Sequence, residues 1–224
     1  MNIPQALGVH TGITSIIGSG GKTALMERLA RELPGSVILC TTTHIFPFSQ
    51  YPLILSAQAQ DIQQELSQNR IVCVGRPGPE GKLISPAVPI AQLAELADYV
   101  LVEADGARHL PLKAHEPHEP VIPRESNQTI CVAGASGFGQ AVEAAVHRPS
   151  VFCRLTGAQP TDPVTPELAA QGILLEGLAQ QILLNQVESG TDWALARRFS
   201  HVLHSAGLQV LAGNLRTDTT LRRL

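Results

Sequence analysis

The 224-residue chain is 44% hydrophobic and 16% charged, a balance that supports a packed core and excludes a disordered or fibrous polypeptide. Sixteen Lys and Arg against 19 Asp and Glu give a formal charge of -3 at pH 7. The basic clusters reduce to Arg197-Arg198 and Arg222-Arg223, so no nucleic-acid partner is expected.

Strand-like and helix-like runs alternate along the chain. Ile13–Ile17 reads as a strand that breaks at Gly18. Thr23–Leu33 follows as a helix, with Leu25, Met26, Leu29, Ala30 and Leu33 at helical spacing and Pro34-Gly35 as its stop. Ser36–Cys40 reads as a second strand, Asp61–Asn69 as a polar-faced helix and Ile71–Val74 as a strand. Gly75–Pro86 reads as a turn or hairpin closing on Lys82–Ile84, and Ile90–Ala97 as a helix. Tyr99–Glu103 is an apolar strand ending in an acid, and Ala107–Pro123, with four prolines and no period, is a long loop of the kind that carries function. Thr129–Ala133 is a strand followed by Gly134, Gly137 and Gly139. Thr165-Pro166-Glu167 has the cap, proline and acid of a helix start. Ile182–Val187 reads as a strand, Asp192–Ser205 as a helix and Gln209–Ala212 as a last strand. This alternation predicts an α/β fold with a mostly parallel sheet covered by helices on both faces, as one domain over residues 1–224.

No stretch approaches the roughly 18 apolar residues of a membrane span, and the first dozen residues carry neither Lys nor Arg nor an apolar block, so neither membrane nor secretory signal is expected. Cys40, Cys73, Cys131 and Cys153 lack CxxC pairing and read as buried free thiols in a reducing cytoplasm.

The sharpest motif is Gly18-Ser19-Gly20-Gly21-Lys22-Thr23, between a strand and a helix. Glycines let backbone N–H groups converge on an anion, and the helix start adds its positive dipole end. Lys22 suits β/γ-phosphate oxygens, and the Thr23 hydroxyl suits Mg²⁺. The longer form of this loop begins with Gly where Ile16 stands here; the shorter G-x-x-G-K-T resembles the loop of the Mur ligase and folylpolyglutamate synthase class. Val102-Glu103-Ala104-Asp105 is the second anchor. Glu103 and Asp105 share a face if the strand continues, and either suits the metal's water shell or the orienting of a nucleophile. Lys22, Glu103 and Asp105 are therefore the candidate catalytic residues, and Thr23, Glu103 and Asp105 the candidate metal set.

Other segments point to the same edge. Arg108 and Lys113 lie in the loop after the acidic strand, where positive charge suits a developing transition state. His115 and His118 have H-x-x-H spacing, but Glu116-Pro117 between them forbids a regular helix, which argues against a metal pair. Thr41–His44 follows the second strand at the ligand-binding edge. Asn185-Gln186-Val187-Glu188 resembles the N-K-x-D base-reading element of GTPases, with Gln186 and Glu188 in place of Lys and Asp. Asn185 is thus a candidate nucleotide contact, with guanine slightly favoured over adenine. Ala133–Gly139 reads as a tight turn bordering the site, and His147-Arg148-Pro149 as either a phosphate contact or a surface segment.

G-S-G-G-K-T at 18–23, T-T-T-H-I at 41–45, V-E-A-D-G-A-R at 102–108, P-L-K-A-H-E-P at 111–117, V-H-R-P at 146–149 and N-Q-V-E at 185–188 together resemble the YqeC family over nearly the whole chain. The resemblance implies an accessory protein for selenium-dependent molybdenum hydroxylases, acting in selenium cofactor biosynthesis or insertion, with such a hydroxylase or its cofactor as partner. Joined to the motifs, this gives a three-layer P-loop NTPase-like fold that binds Mg²⁺ and an NTP (GTP or ATP). Its activity would be NTP hydrolysis or phosphoryl transfer. The alternatives are a non-catalytic carrier of nucleotide or cofactor, and a kinase- or ligase-like enzyme acting on a small metabolite.

Overall fold

The computed structural model describes residues 2–217 and 221–224. Its nine-stranded sheet is built on β1 (Gly12–Gly18), β2 (Val37–Thr41), β3 (Ile71–Val74), β4 (Tyr99–Glu103), β5 (Gln128–Gly134), β6 (Gln181–Asn185) and β7 (Gln209–Ala212). These run in parallel in the order β3-β2-β4-β1-β5-β6-β7. Two-residue strands complete the edges: Leu53–Ile54 parallel to β3, and Arg222–Arg223 antiparallel to β7.

Besides two four-residue helices, Ile3–Ala6 and Val142–Ala145, the described residues form α1 (Lys22–Glu32), α2 (Ala59–Leu66), α3 (Ile90–Leu96), α4 (Pro149–Thr156), α5 (Pro166–Glu176) and α6 (Gly190–His204). Side chains alternate across each strand, and both faces are apolar, as a sheet covered on two sides requires. Ile16, Leu39, Leu101, Val132 and Leu183 pack with Leu25, Met26 and Leu29 of α1. Their strand neighbours face the other way. Ile13, Ile38, Val72 and Val100 pack with Ile62 of α2 and Leu93 of α3. Ile17, Cys131, Ile182 and Val210 pack with Phe152, Ala169 and Phe199 of α4, α5 and α6. The chain therefore has the expected three-layer α/β architecture.

Differences from the sequence reading are local. The strand expected over Ile182–Val187 stops at Asn185, because Gln186 turns to φ 66 and Val187 N–H donates to Gly213 O. Helix α6 begins before Asp192 because Ser189 and Asp192 form a reciprocal capping box. The proline-rich loop contains a strand, Leu112–Lys113, parallel to Val146–His147. The hairpin forms between Arg76–Pro77 and Leu83–Ile84. Cys40, Cys73 and Cys131 are buried and free; Cys153 is also free, but half-exposed on α4 rather than buried.

Strand β4 lies beside β1, with Ile16 in register with Glu103. The carboxyl ends of the two strands therefore bring the glycine loop and the acids together, where ligands of such sheets sit. Helix α5 delivers a third acid, Glu176, from its last turn. At its start the Thr165 hydroxyl accepts Leu168 N–H at 3.1 Å. Thr165→Ala is expected to cost about 1 kcal/mol in urea unfolding; an unchanged midpoint would show that this cap contributes nothing.

Candidate functional site

The loop from Gly18 to Gly21 is held from outside by side chains and strand ends. Ser19 N–H donates to Val132 O at 2.8 Å and the Ser19 hydroxyl to Leu110 O. Gly20 has φ 88, and a Cβ there would lie 2.6 Å from Gly134 Cα, so neither backbone angle nor space admits a side chain. Gly21, φ 138, precedes α1, and no side chain caps the helix start. Asn185 braces this arrangement: its amide donates to Gly20 O at 2.7 Å and accepts Leu215 N–H at 2.9 Å.

Lys22 turns inward and is 5% exposed. Its ammonium donates to Gly18 O at 2.8 Å and pairs with Asp105 Oδ1 at 2.8 Å, with Glu103 Oε1 at 3.9 Å. Thus both candidate acids meet the lysine, but in unequal ways. Asp105 Oδ2 accepts Gly18 N–H at 2.7 Å and faces His115 Nε2 at 2.6 Å, with the Lys113 ammonium at 3.7 Å. Burial pushes the Asp105 carboxyl up, but the His115 hydrogen bond and the Lys22 and Lys113 charges outweigh it and hold its pKa low. Glu103 is the reverse case. Burial dominates and pushes it up to about 7, against the Lys22 charge and a hydrogen bond from exposed Thr23. Its Oε2 is buried and has no hydrogen-bond partner among the described residues. Such an orphaned oxygen beside a hydroxyl fits a divalent cation bound through few protein ligands, phosphate and water.

His115 continues the chain of charges to Glu176. Its Nδ1 lies 2.9 Å from Glu176 Oε2, and its backbone N–H donates to Glu176 Oε1 at 2.6 Å. Burial disfavours the imidazolium, but hydrogen bonds to Asp105 and Glu176 outweigh that and raise its pKa. With a carboxylate at each nitrogen, both nitrogens act as donors. His118 is exposed and takes no part, so the H-x-x-H pair is not brought together. Among the described residues no cluster of three or more His, Cys, Asp and Glu forms a metal cage.

Thr41 and Thr42 hold the neighbouring backbone: their hydroxyls donate to Glu103 O at 2.8 Å and Val121 O at 2.7 Å. Gln186 accepts the Ser136 hydroxyl at 2.6 Å, and Glu188 accepts the Asn214 amide. The turn Gly213–Leu215, Glu119 and Glu176 were not singled out from the sequence. Glu176 lies 61 residues from His115 and had no local signal beyond a helix end before Gly177.

The two raised groups set a pH trend. A carboxyl that binds its proton more tightly when folded stabilises the fold fully below its unfolded value, near 4.5, and loses that contribution as pH rises through about 7. His115 acts in the same direction. Glu103→Gln is therefore expected to flatten the alkaline fall in stability and to gain roughly 1–3 kcal/mol over the parent chain at about pH 8. Urea unfolding at about pH 5 and about pH 8 measures it; an equal slope in both proteins would count against a buried, protonatable Glu103.

A family model described as "YqeC protein" matches residues 14–150, which include the glycine loop, both acids, Lys113, His115 and His147-Arg148. A relative from Escherichia coli (strain K12), "Uncharacterized protein YqeC", is 34% identical over 173 residues, covering 70% of this chain and 68% of its own length. The chain belongs to the YqeC family.

Proposed function

We propose that this chain binds a Mg-nucleotide at Gly18–Thr23 and works as a nucleotide-dependent accessory protein in the maturation of selenium-dependent molybdenum hydroxylases. The role in maturation comes from the family resemblance. The nucleotide site is supported by one observation above all: a glycine loop between a strand and a helix, with its lysine held inward on a carboxylate and a second carboxylate left with a bare oxygen.

In this reading the amides at the start of α1 take phosphate oxygens. Lys22 has three N–H donors; Gly18 O and Asp105 engage two, and the third serves the phosphate. Asp105 is a positioning residue, since Gly18 N–H, His115 and Lys22 already occupy its oxygens. Glu103 and Thr23 are the groups that would hold Mg²⁺, with Glu103 the better candidate than Asp105 because Asp105 Oδ1 is taken by the Lys22 ammonium at 2.8 Å while Glu103 Oε2 has neither a hydrogen bond nor an ion pair among the described residues. A cation held by these groups would supply positive charge that offsets the charge developing during phosphoryl transfer. Asn185 supports the nucleotide indirectly, through Gly20 O. Glu188 with Asn214 offers a carboxylate and an amide to a base from the adjoining turns, which keeps guanine the favoured base.

Calorimetry tests the binding site. Lys22→Ala is expected to weaken Mg-nucleotide binding by at least about thirtyfold, the scale of losing one buried charge partner. Thr23→Ala, at an exposed position, should keep the fold and lose the magnesium dependence. Unchanged nucleotide affinity in both variants would retire the assignment. Because Glu103 must ionise to hold a cation, the magnesium dependence should also strengthen as pH rises through about 7; a flat profile would remove Glu103 from the metal set. Steady phosphate release that is lost in Glu103→Gln distinguishes an enzyme from a carrier.

A further inference from the structure

The side of Asp105 away from Lys22 carries a second group of cations that the nucleotide reading leaves unused. The strands Leu112–Lys113 and Val146–His147 pair so that Lys113 lies in register with His147. Leu112 and Val146 pack into the core, which directs Lys113 and His147 to the opposite face. The Lys113 ammonium donates to Gly106 O at 2.5 Å and pairs with Glu119 Oε2 at 2.8 Å. Arg148 pairs with the other oxygen of the same acid at 3.1 Å. Gly106 opens the turn that carries Arg108, which is exposed and has no acid partner among the described residues. Lys113 and Arg148 thus share one carboxylate, and they and Arg108 all act on the buried His147 imidazole; burial and the Lys113 and Arg148 charges lower that imidazole's pKa, so it adds a neutral donor or acceptor.

We propose that Arg148, Arg108 and His147, with the buried Lys113 charge behind them, form a second anion subsite that takes a phosphate-bearing acceptor molecule. That the anion is an acceptor rests on the nucleotide reading; that the subsite exists does not. Glu119 and Asp105, the latter shared with Lys22, leave a positive excess that one further anion would offset, and the guanidinium forks with an imidazole supply donors from several directions, as a tetrahedral anion requires. Its place fits the role. Lys113 lies 3.7 Å from Asp105, and Asp105 lies 2.8 Å from Lys22, so a single carboxylate separates the two cation groups.

The test is a titration of inorganic phosphate into the full chain, with and without saturating Mg-nucleotide. Phosphate binding is expected to persist in the nucleotide-loaded protein. The double variant Arg108→Ala, Arg148→Gly should weaken it at least tenfold while nucleotide affinity stays within twofold; glycine suits the left-handed backbone at 148, φ 68. Arg148→Lys should lose several-fold in phosphate affinity while leaving the urea midpoint in place, a split that an arginine serving only to pair with Glu119 would not give. Absence of phosphate binding, its loss whenever nucleotide is present, or equal affinity in the double variant would each overturn the subsite. If the parent chain binds no nucleotide, the proposed function fails, and the titration without nucleotide still decides whether the arginines hold phosphate.

Discussion

The Asp105 carboxylate is the point on which the site depends. It is fully buried, an expensive position for a charge unless that charge is met on all sides. Here it is met by a backbone N–H from the glycine loop, an ammonium from the first turn of α1, and an imidazole that is itself bound by Glu176 at the end of α5. One side chain therefore ties together β1, α1, the strap after β4 and a helix from the far part of the chain. Such an ion cluster is poor evidence for stability, since an apolar replacement is often as stable. Its effect is to fix geometry: removing a member takes away one of the partners that balance a buried charge, so the loop and its lysine are held in one arrangement.

The two carboxylates of β4 show how small a displacement separates two roles. Glu103 ends the strand on the α1 face, following Tyr99 and Leu101 in the alternation. Asp105, two residues on, has already left the sheet and meets donors from three elements. The pKa directions follow from this difference in partners rather than from burial, which both share. Asp105 meets an ammonium at one oxygen and an N–H and an imidazole at the other, whereas Glu103 keeps one oxygen bare.

The fold was legible because the information lay in local pattern. Short apolar runs separated by helical periods gave β1, β4, β3 and β7 close to their observed bounds, and Gly20-Gly21-Lys22-Thr23 identified the loop from contiguous residues. The ion network was not legible, because its members come from positions 22, 105, 113, 115, 119 and 176, and no local rule relates them. His115 was weighed as half of a metal pair, yet its partners are carboxylates. The short helix α4 was also missed. It begins at Pro149 straight after a left-handed Arg148, where no Ser, Thr, Asp or Asn marks the start.

Backbone strain points to the same region as the charges. Among the described residues, the non-glycine positions at positive φ are Glu80, Arg108, His109, Arg148 and Gln186. Glu80 belongs to an exposed hairpin turn. The other four border the loop or the cations beside it: Arg108 and His109 in the turn after Gly106, Arg148 against Glu119, and Gln186 after Asn185. Each costs on the order of 1 kcal/mol or more, and such conformations persist only where their surroundings over-determine them. Two have visible restraints, since Gln186 is held by Ser136 and Arg148 by Glu119. Arg108 and His109 are exposed, and the turn is anchored on either side of them, by Lys113 at Gly106 O and by Ser19 at Leu110 O. The anchors reach from the second cation group and from the glycine loop respectively. A strained turn fixed at one end to each of two charged centres is placed to register a ligand at either of them, and this is the physical reason to regard the loop and the cations beside it as parts of one site.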